Sequence, residues 1–288
     1  MTQQFIFTYF FLFIAHTTTY AQQAPLKFKK IYDTWTQKHP EGEKVLLKAL
    51  HLDKRASTDK VYTGLQTLDA LVIRRKKIYS LEVLNFAPKI THLTIIGNPL
   101  KSLSFVENLP ELQTLHLGSI LQGNQIRDIA PLRHAKKLTD LNLNHNFIED
   151  LSPLEGLPLE NLSLRGNSII DFSPLLKCQQ LEYLYAQGNL ASEWPQGVFP
   201  KLKVLELNHN KIKAFEKSCE FPALTDLSIR HNQIHDFQAW PTAPNLKIVL
   251  IRNNPLTQGA CDFLLSGQVS WKHDWQGHHH EEVAALLR

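Results

Sequence analysis

The segment LTDLNLNHNFI, Leu138 to Ile148, recurs along the chain, and that recurrence leaves few folds open. It returns as LENLSLRGNSI from Leu159, LKVLELNHNKI from Leu202 and LTDLSIRHNQI from Leu224. Weaker copies begin at Ile90, Leu181 and Leu246, and a degenerate one at Leu68. An asparagine column falls at Asn98, Asn124, Asn146, Asn167, Asn189, Asn210, Asn232 and Asn254, with Lys76 in the same place in the degenerate copy. From Lys76 onward the steps are 22, 26, 22, 21, 22, 21, 22 and 22 residues. A unit of this length buries its apolar face only by stacking on its neighbours, so the chain is expected to be a solenoid.

The residue types follow from the geometry of one coil. In L-x-x-L-x-L the second and third leucines are two apart, which places both on one face of a strand. They point inward, and the x positions point out. The asparagine stands where the chain turns away from the strand and leaves buried backbone groups unpaired. A side-chain amide carries both donor and acceptor, so the column is read as a ladder inside the solenoid. After it come IRDIAPL, IEDLSPL and IIDFSPL, beginning at Ile126, Ile148 and Ile169. These are too short for an α-helix and predict 3-10 or irregular turns with proline at the entry.

The LxxLxLxxNxL signature resembles that of leucine-rich repeat proteins over residues 47–265, with Leu47, Leu50 and Leu52 read as its weakest copy. The IxDLxPL continuation is similar to the 22-residue class found in internalins and in leucine-rich regulatory subunits of protein phosphatase 1. The resemblance implies an α/β solenoid, a horseshoe or arc with a parallel concave sheet and a mostly 3-10 convex side. Such scaffolds serve many partners, so the resemblance specifies fold far better than function.

Solenoid ends expose apolar layers and need caps. Phe28, Ile31, Tyr32 and Trp35 recur at helical spacing and predict a helical N-terminal cap over residues 22–46. Residues 266–288 are expected to form a C-terminal cap or tail, with Phe263, Leu264, Val269, Trp271 and Trp275 covering the last coil. Phe5 to Ala15 form an apolar run of eleven, short of the ~20 residues that span a bilayer. With Thr19 and Ala21 after it, residues 1–21 read as a signal peptide. The expected product is exported, secreted or periplasmic, with no stable membrane insertion after cleavage.

Composition narrows the function classes. Lys+Arg number 31 against 27 Asp+Glu, a net charge of +4 with the basic residues scattered, so a nucleic-acid partner is not expected. No GxSxG elbow, phosphate-cradling glycine loop or HExxH motif occurs, and no catalytic activity or cofactor is expected. His278, His279 and His280 read as a solvated tail, His209 and His231 as exposed residues at equivalent strand ends, and no metal site is assigned. Cys178, Cys219 and Cys261 are separated by two coils each, ~10 Å or more, and predict three thiols without a disulfide. Residues Ile120 to Gly123 are the insertion behind the 26-residue step.

The x positions of successive strands line up into columns. Within them Tyr183, Tyr185, Arg165, Glu206, Asp226 and Arg230 gather the residue types that dominate interface energetics. These six are the candidate contacts of a partner on the concave face. Another protein is the expected partner. A glycan or cell-envelope polysaccharide, using Tyr183 and Tyr185 as a stacking platform, is the alternative.

Overall fold

The computed structural model describes residues 24–118, 123–215, 218–236, 240–265 and 272–273. The signal segment, the Ile120–Gly123 insertion except Gly123 itself, and the His278–His280 tail lie outside the described residues.

Three helices open the described chain: α1 over residues 24–38, α2 over Pro40–Ala49 and α3 over Thr58–Leu65. Pro40 at the first position of α2 and Ser57 capping α3, its side chain accepting from the Lys60 amide, explain where the second and third begin. Of the helical stripe, Phe28, Tyr32 and Trp35 are buried, and Phe28 packs against the rings of Tyr62 and Phe86. The Trp35 indole donates to the Ser80 carbonyl at 2.8 Å, tying α1 to the first coil. Leu47 lies inside α2, and Leu50 and Leu52 just after it, so this weakest copy is helical rather than a coil. The spacing of Leu47 and Leu50 is also an i, i+3 pair, and a helix satisfies it equally well.

Twelve strands follow: β1 Ala70–Arg74, β2 His92–Ile96, β3 Thr114–His116, β4 Asp140–Asn142, β5 Asn161–Ser163, β6 Tyr183–Tyr185, β7 Gly197–Val198, β8 Val204–Glu206, β9 Cys219–Glu220, β10 Asp226–Ser228, β11 Ile248–Leu250 and β12 Lys272–His273. Ten of them, all but β7 and β9, form one sheet in chain order, and its paired strands run parallel. Helix α4, Gln258–Leu265, precedes β12, which adds a strand within the segment expected to be only a cap. The inward leucines Leu93, Leu115, Leu141, Leu162, Leu184 and Leu205 are buried in one continuous core.

Among the described residues five 3-10 turns line the opposite side, at Glu82–Phe86, Ser104–Asn108, Ala130–His134, Ser152–Leu154 and Ser173–Lys177. The aspartate of IxDLxPL has a structural job. Asp128, Asp150 and Asp171 each accept from the amide two residues on at 2.8 Å, which starts the turn ahead of its proline. The sheet forms one side of the arc and these turns the other. After Lys177 the convex side changes character. Here β7 pairs with β9, and a cluster of rings from Phe172, Trp194, Phe199, Phe215, Phe221 and Trp240 fills the interior.

None of the three cysteines is in a disulfide, and all are buried. Cys219 sits on β9, on the convex side. The Cys178 thiol donates to the Leu154 carbonyl at 3.2 Å, and burial pushes its pKa up to about 11. Native protein should therefore resist a thiol-specific reagent at neutral pH, and all three thiols should react once it is unfolded. Loss of two thiols on mild oxidation of folded protein would contradict this arrangement.

His39 precedes α2 and lies between the rings of Trp35 and Tyr79, only 4% exposed, and its Nδ1 has no hydrogen-bond partner among the described residues. Burial, then Lys38, hold its pKa below the ordinary 6.5, with Glu82 and the Lys77 backbone opposing. A depressed histidine pKa means the unfolded chain binds the proton more readily. This contribution to stability is complete above about 6.5 and is lost as pH falls through that value toward the lower folded one. Urea midpoints should drop between about pH 7.5 and pH 5.5, and less so in His39→Gln. Identical pH dependence in the two proteins would exclude His39 as a source.

Candidate functional site

The asparagine ladder holds the inner face in shape. Asn146 Oδ1 accepts from the Asn124 amide at 2.9 Å and the Ile126 amide at 3.0 Å, while its Nδ2 donates to the Leu143 carbonyl at 2.9 Å. Asn98, Asn124, Asn167, Asn189, Asn232 and Asn254 make equivalent bonds between their own coil and the one before it. Asn210 is the exception. Its Nδ2 donates to Ala186 and Leu207, but its Oδ1 is buried without a partner. The coil it should serve reads Asn189-Leu190-Ala191, where the other coils carry a branched aliphatic residue two places after asparagine.

A second column escaped the sequence reading. The residue immediately before the ladder position has positive φ at Arg75, Gly97, His145, Gly166, Gly188, His209, His231 and Asn253. Glycine takes this left-handed conformation freely, and asparagine and histidine are enriched among the other residues that adopt it. The alternation of GN and HN in the repeats was its visible trace. His209 and His231, in adjacent coils, consequently stack face to face, with centroids 4.2 Å apart and planes 11° from parallel.

Strand pairing puts Asp140, Asn161, Tyr183, Val204, Asp226 and Ile248 in one outward column. The next column holds Asn142, Ser163, Tyr185, Glu206, Ser228 and Leu250. Three of the six candidate contacts, Arg165, Tyr185 and Glu206, form a connected group. The Arg165 guanidinium lies 4.8 Å from the Tyr185 ring centre, donates from Nε to Gln187 at 2.9 Å and reaches Glu206 at 3.3 Å. Tyr183 stands beside Tyr185, with the Lys203 ammonium 5.9 Å from its ring and bonded to Glu182 at 2.6 Å. Burial, then the Glu206 carboxylate, raise the Tyr185 pKa, with Arg165 opposing. Asp226 lies on β10 and Arg230 two residues beyond it.

Two fixed clamps, also missed in the sequence, shape the same face. Asn144 Oδ1 accepts from Ser163 Oγ at 2.8 Å and the Arg165 amide at 2.7 Å. Asn208 repeats this with Ser228 Oγ and the Arg230 amide, both at 2.7 Å. The clamps depend on which residues the neighbouring coil brings alongside, and a single repeat does not reveal that. His116 Nε2 and Asp140 Oδ1 are 2.7 Å apart on β3 and β4. Among the described residues no group of three or more His, Cys, Asp or Glu side chains is placed to hold a metal ion.

A family model described as leucine rich repeats, two copies, matches residues 120–156. No curated protein matches the chain. Among solved structures, a leucine-rich repeat protein of Leptospira interrogans is similar with a TM-score of 0.61 at 22% identity, over 78% of this chain and 58% of that one. Internalin C2 of Listeria monocytogenes gives 0.48 at 23% identity, over 74% and 91% of the two chains. Another internalin of that organism gives 0.47 at 17%, over 83% and 96%. Asparagines that step in register with a parallel inner sheet agree with both likenesses, and this chain has the fold of a leucine-rich repeat solenoid.

Proposed function

We propose that the protein is an exported, non-catalytic module that recognises another protein through its concave face. The observation that carries the reading is the Arg165, Tyr185 and Glu206 group, with Tyr183 two residues from Tyr185 on the same strand. Aromatic and arginine side chains are held there by one another on a rigid sheet, so little side-chain freedom is lost when a partner arrives. Ten strands at ~4.8 Å give a face ~43 Å long, ample for the ~800 Å² per partner of an ordinary interface. Asp226 and Arg230 extend the contact surface toward the C-terminal coils. The guanidinium already seated against Tyr185 disfavours that ring as a sugar-stacking platform.

Export rests on the apolar run from Phe5 to Ala15 and the small residues Thr19 and Ala21. Among the described residues no helix is long and apolar enough to cross a membrane. N-terminal sequencing of exported protein should begin at or near Gln22, and intact Met1 recovered from cytosol would end this part of the reading.

Affinity capture with the mature protein followed by mass spectrometry tests the partner. Against the captured protein, Tyr185→Ala should weaken binding at least tenfold, ~1.4 kcal/mol, with the melting temperature nearly unchanged. Glu149→Ala, at an exposed convex position, is the control and should leave affinity intact. The reverse pattern would place the interface on the convex side.

A further inference from the structure

The concave face is unevenly furnished. Around β4 and β5 its outward side chains are short, with Asn142, Asn144, Asn161 and Ser163 forming a floor beside Gly118. Ile96 on one side and Tyr185 with Arg165 on the other are larger, and a hollow of about 510 Å³ lies between them. That is within the range of roughly 300–1,000 Å³ typical of small-ligand sites.

Two features of the hollow define what it can hold. The first is charge balance. Asp140 is met by His116 on one side, and Arg165 by Glu206 on the other. An anion entering the hollow would face Asp140, and a cation would face Arg165, so neither gains a net partner.

The second is a mixture of unused donors and acceptors. Both lone pairs of Asn144 Oδ1 are taken, by Ser163 Oγ and the Arg165 amide, which leaves its Nδ2 as a donor on a side chain only 3% exposed. Asn142 Oδ1 accepts from the Asn144 amide at 3.1 Å, and its Nδ2 likewise makes no bond among the described residues. Ser163 Oγ spends its proton on Asn144 and keeps acceptor capacity. The Asn161 amide, with donors and an acceptor, makes no side-chain hydrogen bond among the described residues and lines the same floor. Unpaired donors set beside unpaired acceptors match groups that do both, and a hydroxyl does both from a single neutral atom.

We propose that this hollow binds a neutral polyhydroxylated ligand the size of one sugar ring. Recognition runs through the Asn142, Asn144, Asn161 and Ser163 side chains rather than through stacking on the tyrosines. Arg165 and Tyr185 border both this hollow and the proposed protein interface, so the two sites adjoin, while the floor residues that read the sugar belong to the hollow. The sugar can arrive free or attached to a protein, and the chemistry at the hollow is the same.

The test is a titration of the full mature protein, followed by NMR, with glucose, galactose, mannose, N-acetylglucosamine and N-acetylgalactosamine in turn. At least one should produce saturable millimolar shifts centred on the Asn144 side-chain amide and the backbone of β4 and β5. Asn161→Leu fills the floor without breaking a hydrogen bond and should raise the dissociation constant at least tenfold at unchanged melting temperature. Asn142→Leu provides a second filled variant should the first fold poorly. A glycoprotein bearing the responsive sugar, compared before and after enzymatic deglycosylation, separates the attached from the free source. No saturable shift with any of these sugars, or equal shifts in the filled variants, would overturn the proposal. Either result leaves capture of a protein partner to stand or fall by its own measurement.

Discussion

Trp194→Ala should cost about 3–5 kcal/mol of stability, seen as a large fall in the urea midpoint. Trp194 is 3% exposed, and its ring centre lies 5.5 Å from Phe172, 5.3 Å from Phe199 and 6.2 Å from Phe221. These rings come from successive coils, so no single side chain can move to fill the space that truncation leaves. Trp194→Phe should behave quite differently. The indole nitrogen is buried without a hydrogen-bond partner, so losing it removes an unsatisfied donor as well as volume. A cost below about 1.5 kcal/mol is expected for phenylalanine. A phenylalanine variant as damaged as the alanine one would mean the N–H has a partner after all.

Asn146→Ala is the second large effect. It orphans the Asn124 and Ile126 amides together and removes the donor to Leu143. At ~1–3 kcal/mol for each buried group left unpaired, the loss is about 2–6 kcal/mol. Asn210→Ala should cost less, because its Oδ1 serves no amide and only the two Nδ2 bonds disappear. Asn245→Ala, exposed and outside the column, should cost least. The expected order of melting temperatures is therefore Asn245, Asn210, then Asn146 lowest. Equal values for Asn146→Ala and Asn245→Ala would remove the ladder from the account of stability.

Features repeated within each coil were readable from the residues. Leucines two apart place Leu141, Leu162, Leu184 and Leu205 inward because strand periodicity is local, and the outward columns then follow by counting. Features that depend on the next coil were not. The Asn144 and Asn208 clamps require knowing that Ser163 and Ser228 lie alongside, and the stacking of His209 on His231 requires their left-handed backbone. The hollow needs the short side chains of β4 and β5 to stand beside the larger Tyr185 and Arg165, which no single repeat displays. Leucine spacing also misled where two periods coincide. Leu47 and Leu50 suit either a coil or a helix, and Pro40 at the start of α2 favours the helix.

The helical cap also has a consequence for assembly. A solenoid is one unit repeated by translation, so an uncovered first coil and an uncovered last coil are complementary surfaces. A contact of that kind joins head to tail and does not close, which makes filaments rather than dimers. Strand β1 is the first in the sheet order, and α2 packs against it. Trp35, Leu46 and Leu47 are buried at that end of the core, and the Trp35 bond to Ser80 fixes the lid in place. Helix α2 thus stands where a second molecule's last coil would otherwise stack, which disfavours polymerisation through that edge of the sheet.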